Sequence, residues 1–386
     1  MAEETDIAIV GAGVVGLAVA VELSRTQRVV VVERHESYGR ENSSHNSGVI
    51  HAGLHYPPDW LKTTLCIEGN RLLYQWAEKF GVRAHRTGKL IIATKSNEIE
   101  ALERLHAVAR ANGVPDLELL GASQVRQLEP NILAAAALYS GSSGVIDQMG
   151  LMRSLLTAAQ ANGTLAAFKH TVTSLQRDGD AFTLRIDDPS GENFHLQAAA
   201  VVNAAGIAAD RIAALLGYPL EGSASTPRLR HSINKGRYYD IVNPAKASLV
   251  HHLIYPLPHP DRSGLGVHVT LDSDGGVHLG PDTEWLDDGA SLDYRADDSR
   301  RLEFVRSARA YLPWLTADDI MPGQVGYRPK LHDPGAGPCD FLIWHDRGYL
   351  HLGGIESPGM TASLAIGRLV RQIIESERQG YRDPAS

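Results

Sequence analysis

The chain has 386 residues, 43% of them hydrophobic, and a formal net charge of -8. That length exceeds what one core usually holds, so two lobes are expected. The acidic balance excludes a nonspecific nucleic-acid binder, which needs a basic face to neutralise phosphates. Two cysteines, Cys66 and Cys339, lie far apart without CxxC spacing. They suit reduced structural thiols in a cytoplasmic protein better than a disulfide framework or a thiolate metal site.

The opening MAEETDIAIVGAG is acidic, unlike the basic flank of a signal peptide, and is expected to stay on the mature protein. The apolar run from Ile7 to Leu23 is short for a membrane span and is broken by three spaced glycines. No transmembrane segment is expected, while peripheral contact with the inner membrane face stays open. Residues 6 to 33 read as a βαβ unit: strand DIAIV, a glycine turn, a helix from about Val14 to Ser24, and strand RVVVVE. Short continuous apolar strands of this kind belong in a parallel sheet covered on both faces.

A loop follows, then a helix from about Leu61 to Phe80, a strand at KLIIA, and a helical stretch over residues 97 to 112 that ends before Gly113 and Pro115. A helix near residues 151 to 162 and the strands FTLRID and FHLQAAAVVNAAG return to the α/β style. Between residues 225 and 330, KGRYYDIV, LIYPLP, LGVHVTL and GGVHLGP alternate with Pro, Asp and Gly turns, which predicts a mixed or antiparallel sheet. YLHLGG and a helix from about Met360 to Glu377 close the α/β part. The predicted fold is therefore α/β. A Rossmann-like nucleotide-binding domain is assembled from residues 1–84, 145–222 and 330–386, and an α+β substrate domain from residues 85–144 and 223–329.

Gly11, Gly13 and Gly16 form G-A-G-V-V-G between the first strand and its helix. The first glycine permits the turn, the second lets backbone approach a pyrophosphate, and the third lets helix and strand pack closely. The amides around Val14 and Val15 and the positive helix end then face the anion. Glu33 ends the second strand, where a carboxylate accepts from ribose hydroxyls and disfavours a 2'-phosphate; Arg34 follows it at the same edge. FAD and NAD share this half. Ala204, Ala205 and Gly206 in VVNAAG would let a strand end approach the dinucleotide, or simply terminate a strand. In GGIESPGMTASLAIG, residues Gly354, Ile355, Glu356, Ser357, Pro358, Gly359, Met360 and Thr361 place a turn before a helix N-terminus, suited to the pyrimidine edge of a reduced flavin or serving as a plain cap.

Together with HNSGVIHAGLHY, KGRYY, IYPLP, GVHVT, LGP and GYRPKL, these pieces resemble the D-amino-acid oxidase-type FAD-dependent oxidoreductases, and within them the L-2-hydroxyglutarate dehydrogenase/oxidase branch. The resemblance implies FAD, with Ser43 and Ser44 at its ribityl-pyrophosphate region, Asn46, Ser47 and Gly48 near the isoalloxazine, and the Val172 backbone at the adenine.

Oxidising a 2-hydroxy acid requires a cation for the carboxylate, a base for the hydroxyl proton, and a C2 hydride aimed at the flavin. No metal is needed. His51 and His55 stand four apart, but glycines and Pro57-Pro58 argue against the helix that would make them a zinc pair, so they are base candidates. The resemblance implies that Arg328 in the R-P motif grips the substrate carboxylate, for which a guanidinium fork is suited. Lys330, on the same face of a strand, could hold a second carboxylate or tune a histidine. His268 is a second base candidate or a core histidine, and Tyr239 and Tyr255 could donate to substrate or simply pack. The branch acting on glycerol-3-phosphate has arginine where His55 stands here.

The expected activity is FAD-dependent oxidation of a small 2-hydroxy acid, L-2-hydroxyglutarate favoured, to the 2-oxo acid. An amino-acid or N-methyl-amino-acid oxidase, a glycerol-3-phosphate dehydrogenase and a noncatalytic nucleotide-sensing protein are the alternatives. The electron acceptor that reoxidises the flavin stays open among oxygen, a quinone and another flavoprotein.

Overall fold

The computed structural model describes residues 3–257 and 266–380. The chain folds as two compact units, residues 1–44, 148–233 and 328–386 forming the first and residues 45–147 and 234–327 the second.

In the first unit the predicted βαβ unit forms as Glu3–Val10, Val14–Leu23 and Val29–Glu33. Glu3–Val10 lies parallel between Val29–Glu33 and Asn193–Asn203, with Ile7 opposite Val29 and Val10 opposite Asn203. Leu165–Phe168 extends one edge in parallel. On the other side, the start of Asn193–Asn203 pairs antiparallel with Ala181–Asp187, and its end pairs parallel with Tyr349–Gly353. Nine of the ten residues of Val14–Leu23 are buried, because the helix packs against both Gln148–Ala161 and Gly359–Gly380. Such a helix is apolar all round rather than amphipathic. The contact with Gly359–Gly380 is close enough that a Cβ on Gly367 would come within 2.7 Å of the Ala18 carbonyl oxygen. The apolar run from Ile7 to Leu23 is thus strand plus helix, and no helix among the described residues is long and apolar enough to cross a membrane.

The second unit is built on a sheet in the order Glu284–Trp285, Ser232–Ile241, Val277–Leu279, Val269–Leu271, Leu253–Pro256, Lys89–Ala93, Ala136–Ser140, Leu117–Gly121. It is mixed. Leu253–Pro256 runs parallel to Lys89–Ala93 and so joins two antiparallel groups. Its core gathers Leu90, Ile92, Leu138, Ile254, Val269 and Phe304. Helix Leu61–Phe80 has the bounds its periodicity predicts, ending at Gly81 with a left-handed φ of 65°. Residues 97 to 112 form a short 3-10 turn followed by Ile99–Ala111. The strand predicted at LGVHVTL is confined to Val269–Leu271, so His268 precedes it. Pro258 of the IYPLP motif lies outside the described residues.

The domain boundaries differ from those expected. Residues 45–84 belong to the second unit, because Val49–Ile50 pairs with Gly144–Ile146, which also takes Ala84–His85. Asn70 strengthens the attachment by donating to the carbonyls of His51 and Ser142, both at 2.9 Å. Residues 223–233 and 328–329 belong to the first unit, where Arg228 pairs with Asp333 and the Leu229 amide donates to the Leu220 carbonyl.

Candidate functional site

The first unit gathers the residues expected to meet a dinucleotide at the ends of its parallel strands, the expected place for a ligand in such a sheet. Gly11 has φ +105°, and a Cβ there would lie 2.6 Å from the Ala204 carbonyl oxygen. A Cβ on Gly16 would come within 2.1 Å of the Gly11 carbonyl oxygen, and one on Gly13 within 2.9 Å of Ser43 Oγ. Gly11 and Gly16 are therefore required by backbone contacts with the Ala204 turn and the glycine loop itself, while Gly13 lies against the Ser43 hydroxyl. The Val14 amide donates to Ser43 Oγ at 3.0 Å, and the first turn of the helix holds no acidic side chain that would repel a phosphate.

Glu33 is fixed by the amides of Ala12 and His35, each 2.8 Å from a different carboxylate oxygen. Each oxygen keeps acceptor capacity for a ribose hydroxyl. Arg34 pairs with Glu41, which also binds His35 Nε2 and accepts the Ser44 hydroxyl on its backbone carbonyl. Burial works against the Glu41 carboxylate, but His35 and Arg34 hold its pKa below the usual range. Val172 is buried beside a bulge in Thr171–Asp178. Ala204 donates its amide to Val10, which sets the Ala204–Gly206 turn beside the glycine loop.

At the second glycine turn, Gly354 has φ +61° and donates its amide to His231 Nε2 at 3.1 Å. Glu356 accepts from the Gly359 amide and pairs with Lys330 at 2.5 Å. That pair corrects the reading of Lys330: its charge is balanced inside its own unit rather than kept for a second carboxylate or a histidine. Arg328 and Lys330, two apart near the end of strand Ile320–Lys330, are both half-buried, with buried Pro329 between them. Ser357 and Pro358 complete the turn, and Thr361 is fully buried in helix Gly359–Gly380.

The second unit holds the histidines. Residues 51 to 60 contain no helix, so His51 and His55 do not form the i, i+4 pair of a zinc site. Among the described residues no group of three His, Cys, Asp or Glu is placed to hold a metal. Upstream, Asn46 Oδ1 accepts from the Gly48 amide at 2.9 Å, and the Asn46 carbonyl accepts from Gln324 Nε2 at 2.6 Å, so Asn46, Ser47 and Gly48 form a pinned turn of this unit.

At the centre of the cluster is a residue the sequence reading missed, Lys89. It opens a strand that is otherwise entirely apolar, is 2% exposed, and places Nζ 3.3 Å from His51 Nδ1 and 4.2 Å from the centre of the Tyr255 ring. The Tyr255 ring stacks on His268, with centroids 3.8 Å apart and planes 12° apart. The available signal was a charge at the head of the fully buried strand KLIIA.

Burial lowers the Lys89 pKa to about 7, with the Cys66 thiol opposing the shift. Burial, then the charges of Lys89, His55 and His268, hold His51 well below its ordinary value. Burial and Lys89 push His55 down to about 4, although its ring reaches solvent, which softens that shift. Cys66 is buried and its thiol is pushed up to about 12, first by burial, so it stays an un-ionised neighbour.

Tyr239 is placed elsewhere. It is fully buried against Phe304, and its hydroxyl accepts from the Arg300 amide at 3.2 Å, which makes it a core residue of the second unit and corrects its reading as a substrate ligand.

The pattern that defines the FAD dependent oxidoreductase family matches residues 6–373. L-2-hydroxyglutarate dehydrogenase, mitochondrial, of Arabidopsis thaliana is 35% identical, over 94% of this chain and 82% of its own length. L-2-hydroxyglutarate dehydrogenase of Salmonella houtenae is 27% identical over 98% of this chain and 95% of its own. The solved structure of dithionite-reduced L-alpha-glycerophosphate oxidase from Mycoplasma pneumoniae, with FAD bound, superposes with a TM-score of 0.83 at 26% identity, covering 97% of this chain and 95% of that one. With the glycine turn, its answering carboxylate and this match over nearly its whole length, the chain belongs to the FAD-dependent oxidoreductase family.

Proposed function

We propose that the protein oxidises L-2-hydroxyglutarate to 2-oxoglutarate, using FAD. The observation that carries this reading is the second unit's cluster of imidazoles around a buried lysine that no carboxylate neutralises among the described residues. Such a cluster favours an anion that has a proton to give up. A 2-hydroxy dicarboxylate is one, and the names of the Arabidopsis and Salmonella relatives specify it.

In this reading the first unit is the FAD-binding domain. The amides around Gly11, Gly13 and Gly16 with Ser43 and Ser44 hold the pyrophosphate, Glu33 the ribose, Val172 the adenine side, and Ala204–Gly206 with Gly354–Thr361 the remainder. FAD, when bound, supplies the acceptor for the C2 hydride. The second unit is the substrate-binding domain. His51 takes the hydroxyl proton, His55 and His268 add hydrogen-bonding capacity, and Tyr255 fixes His268 by stacking; the carboxylate role proposed for Arg328 rests on its guanidinium fork. A bound flavin would pass its electrons on to oxygen, a quinone or another flavoprotein. A cytoplasmic location, with peripheral contact at the inner membrane face, belongs to the same proposal and fits two cysteines, Cys66 and Cys339, that are not joined in a disulfide.

Anaerobic mixing of the holoenzyme with L-2-hydroxyglutarate, its D-isomer, L-α-glycerophosphate and several amino acids tests this reading through bleaching of the flavin band. L-2-hydroxyglutarate should bleach it fastest; bleaching by glycerophosphate or an amino acid alone would defeat the substrate assignment. Arg328→Ala should cost about 2 to 5 kcal/mol of substrate binding or transition-state stabilisation. Unchanged kinetics would remove Arg328 from the site.

A further inference from the structure

Behind His51 stands an amine, where a histidine base more often has a carboxylate. Among the described residues, the groups facing Lys89 are the Cys66 thiol from helix Leu61–Phe80, His51 and His55 from the loop before that helix, the Tyr255 ring from Leu253–Pro256, and His268. None of them is an acid that ionises near neutral pH, and Lys89 forms no ion pair among the described residues. A buried ammonium with such neighbours loses its hydration and gains only the face of one aromatic ring.

The protonation state of Lys89 dictates which nitrogen of His51 carries the proton. An ammonium has donors and no acceptor, so it obliges Nδ1 to accept; neutral His51 then carries its hydrogen on Nε2, where it can donate but cannot take a proton. A neutral amine has a lone pair. It can accept from Nδ1–H, which leaves Nε2 unprotonated and able to act as a base.

We propose that Lys89 is a positioning residue that acts through His51: the two side chains form one proton-accepting pair, in which the amine selects the His51 tautomer and receives its Nδ1 proton. The proposal rests on the reading of His51 as base. In the step, the substrate O–H bond breaks as Nε2–H forms, and Nδ1–H breaks as the Nζ–H bond of an ammonium forms. The electron pair left on oxygen becomes the carbonyl π bond as the hydride leaves C2 with its own pair for the oxidising cofactor. An imidazole held well below its ordinary pKa is a poor final holder of that proton, whereas Lys89 near 7 is a competent one. Competence requires Lys89 to be unprotonated, so the reductive rate rises with pH through neutrality.

The test uses the FAD-loaded protein with 15N-labelled histidine and no substrate, the His51 resonances being assigned by their loss in His51→Gln. As pH rises through neutrality the His51 ring should change from the Nε2–H to the Nδ1–H tautomer, and Lys89→Met should abolish the change. A single tautomer throughout, or the same change in Lys89→Met, overturns the proposal. Because this measurement contains no substrate, it stands apart from the substrate assignment. A second measurement is the reductive half-reaction of Lys89→Arg. A permanently charged guanidinium should cost about a hundredfold in rate with flavin content retained. An arginine that sustains the rate would show that only a fixed charge is needed and would equally overturn the proposal.

Discussion

Two buried cations of the second unit are treated in opposite ways. Arg237, on strand Ser232–Ile241, is 5% exposed and surrounded by acids. It donates to Asp282 at 2.9 Å and Asp297 at 2.7 Å and pairs with Glu284, while Asp282 also accepts its backbone amide at 2.7 Å. Burial pulls its pKa down, but the carboxylates outweigh burial and raise it. Lys89, on Lys89–Ala93, is buried as deeply with imidazoles and a thiol for neighbours, and burial wins. A paired buried cation is fixed in charge and serves the fold. An unpaired one sits close to losing its proton, which is what proton chemistry near neutral pH requires.

The contrast is broken most severely by removing an acid from the paired cluster. Asp282→Asn removes the most deeply buried of the acids paired with Arg237, leaving the guanidinium only the half-buried Glu284 and Asp297, and should cost about 3 to 5 kcal/mol in urea unfolding. A loss below about 1 kcal/mol would show that Glu284 and Asp297 suffice without it.

Lys89→Met should behave in the opposite sense, sparing stability while removing activity. The sign follows from linkage: the folded pKa of Lys89 lies below that of the unfolded chain, so between the two the unfolded chain binds more protons and stability rises with pH. The window runs from about 7, the folded value, up to about 10.4, the ordinary lysine value. Below it the penalty for the buried ammonium is fully present. Wild type should therefore gain stability relative to Lys89→Met across that window, on the order of a few kcal/mol. Parallel stability curves for the two proteins would mean that Lys89 is already paired in the fold.

The smallest effect sharpens the comparison from within the paired cluster. Lys235 shares Asp297 with Arg237 at 2.7 Å, but its side chain is 15% exposed and its loss leaves Asp297 bound to Arg237. Lys235→Met should cost about 1 kcal/mol or less in the same unfolding measurement.

Neither buried cation declared its environment in the sequence. KGRYY shows Arg237 without Asp282, Glu284 or Asp297, and KLIIA shows Lys89 as one charge before four apolar residues. Local features were legible because their causes are local. Helix Leu61–Phe80 carries its own periodicity and a terminating glycine, and the glycines and prolines around His51 and His55 rule out a helix within their own stretch. The side to which residues 45–84 belong was not legible, since it depends on a two-residue strand finding Gly144–Ile146 almost a hundred positions away. The placement of Lys330 against Glu356 and of Tyr239 in the core turned on partners equally remote in sequence.

The amino-acid order by itself determined the glycine turn, because Gly11, Gly13, Gly16 and Glu33 lie within one βαβ unit whose short-range geometry leaves few alternatives. It also determined the family, through motifs spread along nearly the whole chain. Only the tertiary structure decided that a lysine stands 3.3 Å behind His51 and that no acid among the described residues accompanies it. The physical reason is that desolvation and charge pairing act through space, so the proton affinity of a side chain is set by whichever remote residues the fold brings beside it.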